Sequence, residues 1–229
     1  MNLKKAGIEA LIFASSLISS AYADNHQIPL KFIEAVIQEE SSGNPNSERY
    51  EEHINDTSYG LMQILTETAR EVSEKHPELP SLDLNLDGET TREEIKTSLL
   101  NPETNKQYGT TILEENFERY GTLELAVAAY NAGPNTPRNA LTQYELNKIY
   151  GTQLETDGKI GALSRVVVKR FQKEQGLRVD GIPGKNTRKK LDEIYKNKFP
   201  GKPLPTGLIP QNKRTPDHVR KVMNAYRNQ

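Results

Sequence analysis

The 229-residue sequence contains no cysteine. This absence excludes disulfides, catalysis by a thiolate and zinc sites built on cysteine. The four histidines are scattered and never take the HExxH spacing of a zinc hydrolase: they are His26, His53, His76 and His218. We therefore expect neither a zinc enzyme nor a Ser-His-Asp hydrolase.

The sequence also lacks an excess of charge and any long apolar run. Its formal net charge is -1, so it lacks the excess of positive charge that is typical of nucleic-acid-binding proteins. No segment is long and apolar enough to predict a membrane span. The content of 34% hydrophobic and 27% charged residues indicates a soluble globular protein with a sizeable core. We expect it to be a monomer.

The first 23 residues fit two descriptions. Residues 1–5 are basic, residues 10–20 are fairly apolar, and Ala21-Tyr22-Ala23 has the form of a signal-peptidase site. Glu9 and four serines weaken that signal. The segment also places apolar residues on one face of a helix, namely Ile8, Leu11, Ile12, Ile18 and Tyr22. A signal peptide and a first helix both stay open.

The region up to about residue 138 has a helical pattern. One helix begins at Pro29 and ends at Glu40, where residues 41–45 (Ser-Ser-Gly-Asn-Pro) stop it. Further helices are predicted after Tyr59, over about 105–120, and over 123–130, which is apolar on all sides and predicts a buried helix.

Residues 139–199 contain an internal repeat. The pattern Asp157-Gly158-x-x-Gly161-x-x-Ser164 returns 23 positions later as Asp180-Gly181-x-x-Gly184-x-x-Thr187. Each copy predicts a glycine turn and a hydroxyl residue that caps the helix after it. Two such units packed together predict a small, separate domain.

A last helix follows a linker over 199–211 that is rich in Pro, Gly and Lys. Thr215 is a good N-cap, and Pro216 suits the first helical position. An apolar stripe then recurs at helical spacing, formed by Val219, Val222, Met223 and Tyr226. Such a stripe needs a partner to cover it.

Glu40 is the candidate catalytic residue. In the helix that it ends, five apolar residues define one arc, Phe32, Ile33, Ala35, Val36 and Ile37. Glu40 falls near the middle of that arc, where desolvation raises a carboxyl pKa and keeps it protonated, as a general acid in glycoside cleavage requires. Periodicity alone favours the alternative, in which Glu40 is an exposed residue at a frayed helix end.

Four motifs in order resemble the soluble lytic transglycosylases. They are Glu40-Ser41-x-x-Asn44-Pro45, Gly60-Leu61-Met62-Gln63, Asn101-Pro102-Glu103-Thr104-Asn105 and Ala129-Tyr130-Asn131-Ala132-Gly133-Pro134. The resemblance covers about 18–138 and implies an all-α class with a lysozyme-like helical catalytic domain. The segment 49–55 is longer and more polar than the family pattern, so the cleft residues usual there have no clear counterpart.

The resemblance also implies a mechanism. Glu40 would protonate the glycosidic oxygen between MurNAc and GlcNAc and then act as base on the MurNAc C6 hydroxyl, which gives a 1,6-anhydro sugar without water or a cofactor. The residues implied to contact peptidoglycan glycan strands, or to support Glu40, are Ser41, Met62, Gln63, Tyr130 and Asn131. For Met62 and Tyr130, packing in the core is the alternative. A hydrolytic lysozyme on the same scaffold and a non-catalytic wall-binding protein remain alternatives.

The repeat region resembles the helical peptidoglycan-binding domain of cell-wall enzymes, through features such as Phe171-Gln172 and Val179-Asp180-Gly181. In the resembling family a closing helix Thr-x-x-Tyr-Val-x-x-Val follows the last motif. Here the segment 215–222 fits that pattern, with His218 in the tyrosine place. We therefore predict a catalytic domain of 1–138 plus 200–229 with the binding domain, 139–199, inserted. A free C-terminal helix beyond a linker is the alternative. The expected location is the cell envelope or the extracellular space, in a bacterium or as a phage endolysin.

A calcium loop is also predicted. Asp83, Asn85, Asp87 and Glu94 fit positions 1, 3, 5 and 12 of an EF-hand loop, with Gly88 at the sharp turn and Glu89 as a further candidate ligand. Oxygen ligands at alternating positions suit Ca²⁺, here as a structural ion. A solvated acidic loop is the alternative.

Overall fold

The computed structural model describes residues 28–201, 207–212 and 214–228. The two interpretations of residues 1–23 lie outside these ranges. The helices are α1 (Leu30–Ser41), α2 (Thr66–Lys75), α3 (Arg92–Leu100), α4 (Pro102–Tyr120), α5 (Leu123–Ala132), α6 (Thr136–Tyr150), α7 (Ala162–Glu174), α8 (Lys185–Lys198) and α9 (Thr215–Arg227). This mostly helical architecture confirms the predicted all-α class.

A small antiparallel sheet was not predicted. Its strands are β1 (Glu48–Glu51), β2 (Asp56–Tyr59) and β3 (Ile64–Leu65), in the order β1-β2-β3. The sequence predicts a helix directly after Tyr59, but two residues of strand and a turn come first, and α2 begins only at Thr66. The buried Asp56 links sheet and helix, because its Oδ2 accepts the N–H of Glu67 in the first turn of α2 at 3.1 Å.

The main hydrophobic core lies between α1 to α5 and α9. The predicted stripe of α9 belongs to it, since Val219, Val222 and Met223 are buried in the same cluster as α1. Tyr226 adds an edge-to-face ring contact with Phe32 at 5.4 Å. α9 thus packs against α1 and α5 although the whole repeat region separates them in sequence. This is the packing that an inserted domain requires; the division into domains itself stays a prediction.

A second, smaller core joins the end of α6 to α7 and α8. Its buried members are Leu146, Leu154, Val167, Val168, Phe171 and Leu191. In both copies of the repeat, a buried glutamine forms hydrogen bonds that fix the Asp-Gly turn. Gly158 N–H donates to Gln143 Oε1, and Gly181 N–H donates to Gln172 Oε1, each at 2.8 Å.

The expected caps of the repeat helices were wrong. Gly161 and Gly184 are the N-caps of α7 and α8, and neither cap is made by a side chain. Ser164 and Thr187 lie inside the first turns, and their hydroxyls accept hydrogen bonds from the two buried glutamines, Gln143 and Gln172. Each hydroxyl is therefore used in tertiary packing instead of satisfying its own helix end.

The helix α6 crosses the expected boundary at 138/139. Its first half is buried through Pro137, Ala140 and Leu141 and packs on α5, whereas its second half supplies Leu146 to the smaller core. Leu208 N–H, in the expected linker, donates to the carbonyl of Pro137 at 3.0 Å. One helix therefore belongs to both packing units. Over the described ranges, no helix is both long and apolar enough to cross a membrane.

Candidate active site

Glu40 lies in the last turn of α1, which ends where Ser42 takes a left-handed conformation with φ 54°. Four members of the predicted arc are buried, Phe32, Ile33, Ala35 and Val36. The Glu40 side chain is 8% exposed, so the helix end is not frayed into solvent. Burial raises the pKa of Glu40 to about 7; Arg49 opposes this rise, while Glu39 and Glu51 add to it.

Ser41 ties the end of α1 to the turn that follows β2. Its hydroxyl donates to the carbonyl of Leu61 at 2.7 Å and lies 3.3 Å from the carbonyl of Ile37. Both bonds hold the backbone around Glu40. The predicted role of Ser41 as a support of Glu40 stays a prediction.

The turn over 60–63 is held by Asn105 of α4, a motif residue that was not among the predicted site residues. Its Oδ1 accepts the Met62 N–H at 2.8 Å, and its Nδ2 donates to the carbonyls of Tyr59 and Leu99 at 2.9 and 2.8 Å. Gly60 has φ +77°, and a Cβ there would lie 2.3 Å from the Asn105 amide. Only glycine therefore fits this position.

The expected glycan contact by the Met62 side chain does not fit the structure. That side chain is fully buried and packs against Gly109, where an added Cβ would lie 2.3 Å from the Met62 sulfur. Gln63 is buried as well. Its Nε2 donates to the carbonyls of Ser47 and Gly60, and its Oε1 accepts from the Ser58 hydroxyl. Both residues shape the floor of the site from within the core.

Tyr130 and Asn131 reach the site from the end of α5. The Tyr130 hydroxyl donates to the Met62 carbonyl at 2.7 Å. Burial, and secondly the charge of Glu40, raise the pKa of Tyr130 well above its ordinary value. Asn131 is exposed, and its Oδ1 accepts from the hydroxyl of Thr215 at 3.0 Å. Thr215 is the first residue of α9, after the N-cap Arg214, so its predicted role as N-cap was wrong.

His218 completes the site and was not among the predicted site residues. Its Nε2 lies 3.4 Å from Glu40 Oε1, and its side chain is 11% exposed. Burial is the main reason that its pKa is lowered, so the ring is neutral near pH 7. A signal existed in the sequence, because residue 218 lies one turn from Thr215 and from Val222 on the face of α9 that packs against the core.

Two protein-family models match the chain. The transglycosylase SLT domain matches residues 18–151, and the peptidoglycan-binding domain 1 matches residues 138–191. The chain belongs to the transglycosylase SLT family. No curated protein matches it.

The SLT enzyme cleaves glycosidic bonds of peptidoglycan, which ties it to the cell wall. The two matches overlap over 138–151, which includes most of α6, the helix that packs on α5 and supplies Leu146 to the smaller core. Hydrogen bonds join the four SLT motifs to one another, from Ser41 to Leu61, from Met62 to Asn105 and from Tyr130 to Met62.

The predicted calcium loop of the SLT enzyme is organised by its own backbone. Asp83 accepts the N–H groups of Leu86 and Gly88 at 2.7 and 2.9 Å, and the Asn85 and Asp87 oxygens accept from residues two positions further on. Leu86 takes φ +63° to close this turn. The side chains of positions 1, 3 and 5 thus all fold the loop that carries them.

Glu94 closes the loop from α3. It accepts the N–H groups of Leu84 and Asn85 and forms a capping box with Thr91, whose hydrogen bonds lower the pKa of Glu94. The candidate metal ligands of this loop are all oxygen atoms, which Ca²⁺ prefers. Across the described ranges, however, no three acidic or histidine side chains converge as a metal site. Calcium binding through Asp83, Asn85, Asp87, Glu89 and Glu94 therefore stays a prediction.

Proposed function

We propose that this SLT enzyme is a lytic transglycosylase in which Glu40 is the only catalytic acid and base. The observation that carries the proposal is the state of its carboxyl, which is 8% exposed and has a pKa of about 7. Such a group is about half protonated at neutral pH, so it can both give and take a proton during one turnover.

The proposed reaction moves one proton out and one proton back. Glu40 gives its proton to the glycosidic oxygen between MurNAc and GlcNAc, and the bond to the MurNAc anomeric carbon breaks. The resulting carboxylate takes the proton of the MurNAc C6 hydroxyl, whose oxygen bonds to that carbon. The products are a 1,6-anhydroMurNAc end and a free GlcNAc C4 hydroxyl, and Glu40 is protonated again.

The neighbouring carboxylates support a single acid. Glycosidases that use water or a covalent intermediate need a second carboxylate near the bond. Glu39 accepts a hydrogen bond from Lys221 at 3.0 Å, and Glu51 accepts one from Arg49 at 2.6 Å. Both of these acidic groups near Glu40 are therefore already engaged by a cation.

The second domain has a proposed role of its own. We propose that the peptidoglycan-binding domain holds the enzyme on the wall and so raises the local concentration of glycan around Glu40. Its packing through α6 supports this proposal, because this helix contacts α5 of the catalytic domain at one end and contributes Leu146 to the smaller core at the other.

Product analysis tests the proposal. Purified peptidoglycan digested with the enzyme should release anhydro-muropeptides, each lighter by one water than the corresponding hydrolysis product, as read by mass spectrometry. Reducing-end muropeptides as the main product would instead identify a hydrolytic lysozyme. No loss of turbidity from a wall suspension would identify a protein that only binds the wall.

A further inference from the structure

One ring nitrogen on α9 is buried beside the Glu40 carboxyl and lacks a hydrogen-bond partner among the described residues. This atom is His218 Nε2, and it lies 3.4 Å from Glu40 Oε1. The pair is close but not aligned as a hydrogen bond. Catalytic hydrogen bonds are often long in the free enzyme and tighten when substrate binds.

The orphaned nitrogen requires a reason, because buried polar atoms in folded proteins nearly always have a partner. The ring is held in place by its helix: Thr215, one turn earlier, bonds to Asn131, and Val219 and Val222 are in the core. These contacts on either side of residue 218 fix the face of α9 from which His218 points at Glu40.

We propose that His218 is a positioning residue for the catalytic carboxyl, donating from Nε2–H to Glu40 Oε1 so that the acidic proton stays on Oε2 and points at the glycosidic oxygen. The proposal rests on the proposed role of Glu40. The donor must be the ring: if Nε2 accepted instead, it would take the proton that the glycosidic oxygen needs.

The same hydrogen bond serves both halves of the reaction. Oε1 accepts it while Glu40 is protonated, and the bond strengthens when Glu40 becomes a carboxylate. A donor to the charged form lowers a carboxyl pKa. His218 therefore limits the rise in pKa that burial imposes on Glu40.

Other charged groups act on the same pair and must be considered in any pH profile. They are Glu39 on α1, Arg49 and Glu51 on β1, Tyr130 on α5, and Asp217 and Lys221 on α9. Substitutions at residue 218 leave all of them in place, so a change in the profile reports on the ring.

The experiment compares four variants of the full chain, His218→Phe, His218→Gln, His218→Asn and Asn224→Ala. The glutamine amide nitrogen can stand where Nε2 stands, the shorter asparagine cannot reach it, and the phenylalanine has no donor. Asn224 is exposed on the same helix and provides the matched control. Initial rates of muropeptide release are measured from about pH 5 to pH 9, with thermal melting of each variant.

We expect His218→Phe to lower the rate on the order of tenfold and to move the alkaline limb of the profile up by about one pH unit. His218→Gln should recover most of the rate and the wild-type limb, and Asn224→Ala should match wild type. If His218→Phe does not fold, the contrast between Gln and Asn carries the test: Gln active and Asn impaired supports the donor.

Three results overturn the proposal. The first is a His218→Phe enzyme with the wild-type rate and pH profile. The second is an equal loss of rate in His218→Phe and His218→Gln while the alkaline limb of the profile does not move. The third is an equal rate in His218→Gln and His218→Asn. The second result means that the ring only fills space. Failure of the proposed function looks different, because it appears in the wild-type enzyme as reducing-end products.

Discussion

The buried Glu145 leads to a prediction about stability. It lies on α6 against α8, its side chain is fully buried, and neither oxygen receives a donor from the described residues. Burial, followed by the charge of Asp192, raises the pKa of Glu145 to about 9. Asp192 is itself bound to Arg138 at 2.5 Å. At neutral pH Glu145 is therefore protonated and donates its O–H toward Asp192.

The difference in the pKa of Glu145 between the folded and the unfolded state determines how stability changes with pH. The ordinary pKa of 4.5 applies to the unfolded chain, and the folded value is about 9. The folded state holds the proton more tightly, so the contribution of Glu145 to stability is fully present below pH 4.5 and is lost as pH rises to about 9. At pH 7 the loss covers 7 − 4.5 = 2.5 pH units at about 1.4 kcal/mol each, or about 3 kcal/mol.

Glu145→Gln should recover that free energy, because glutamine has nearly the same shape, cannot ionise and can donate its amide to Asp192. We expect the variant to be more stable than wild type by up to about 3 kcal/mol at pH 7, against a typical total of about 5–15 kcal/mol. The advantage should be smaller near pH 5 and larger near pH 8.

Urea unfolding of the two proteins at about pH 5 and about pH 8 measures both quantities. Glu193→Gln is the matched control, since Glu193 is an exposed carboxylate on α8, and it should leave the pH dependence unchanged. A Glu145→Gln protein that is no more stable than wild type at pH 8, or whose advantage is the same at both pH values, would refute the reasoning.

Three further predictions address the site, the loop and the domain division. Glu40→Gln should abolish turbidity loss of a wall suspension while wall binding stays as in wild type and melting near pH 7 is no lower than in wild type, because the raised pKa of Glu40 predicts no loss of stability when it cannot ionise; Glu39→Gln is the control, and a dead Glu39→Gln beside an active Glu40→Gln would reverse the assignment. Calcium should raise the melting temperature of EDTA-treated protein by mass action, and an Asp83→Ala, Glu94→Ala variant should lose that response; identical melting with and without calcium rules the site out. A chain that ends at Lys198 should be unstable and inactive, because it exposes the surface that Val219, Val222 and Met223 cover at a cost of several kcal/mol; wild-type melting and turnover of that truncation would mean that α9 is dispensable and that the repeat region is not an insertion.

Many of the helices and their buried faces could be predicted from the sequence, because they depend on the local pattern of apolar residues. Periodicity alone did not decide that Glu40 is buried, which the resemblance of its motif favoured, but it does determine that Phe32, Val36 and Glu40 share one face of a helix. The buried helix over 123–130 and the apolar stripe of α9 were predictable in the same way. The resemblance of four ordered motifs predicted the family that the comparison confirms.

Other features depended on partners distant in sequence. Ser164 and Thr215 looked like helix caps, yet Gln143 and Asn131 from other helices bind their hydroxyls. Met62 belongs to a motif of the site but has its side chain in the core. Motif membership does not say whether a residue touches substrate or supports the backbone that does.

The contact between Glu40 and His218 is the feature of the active site that depends most on the tertiary structure. Nothing local to α1 predicts that His218 lies 3.4 Å from Glu40, because the repeat region separates the two residues and only the packing of α9 against α1 brings them together. The sequence by itself, through helical spacing and the motif around it, indicated Glu40 as the candidate catalytic carboxyl. The fold determined what that carboxyl faces, since the position of a residue on a helix face follows from the pattern within one helix and its neighbours follow from how helices pack.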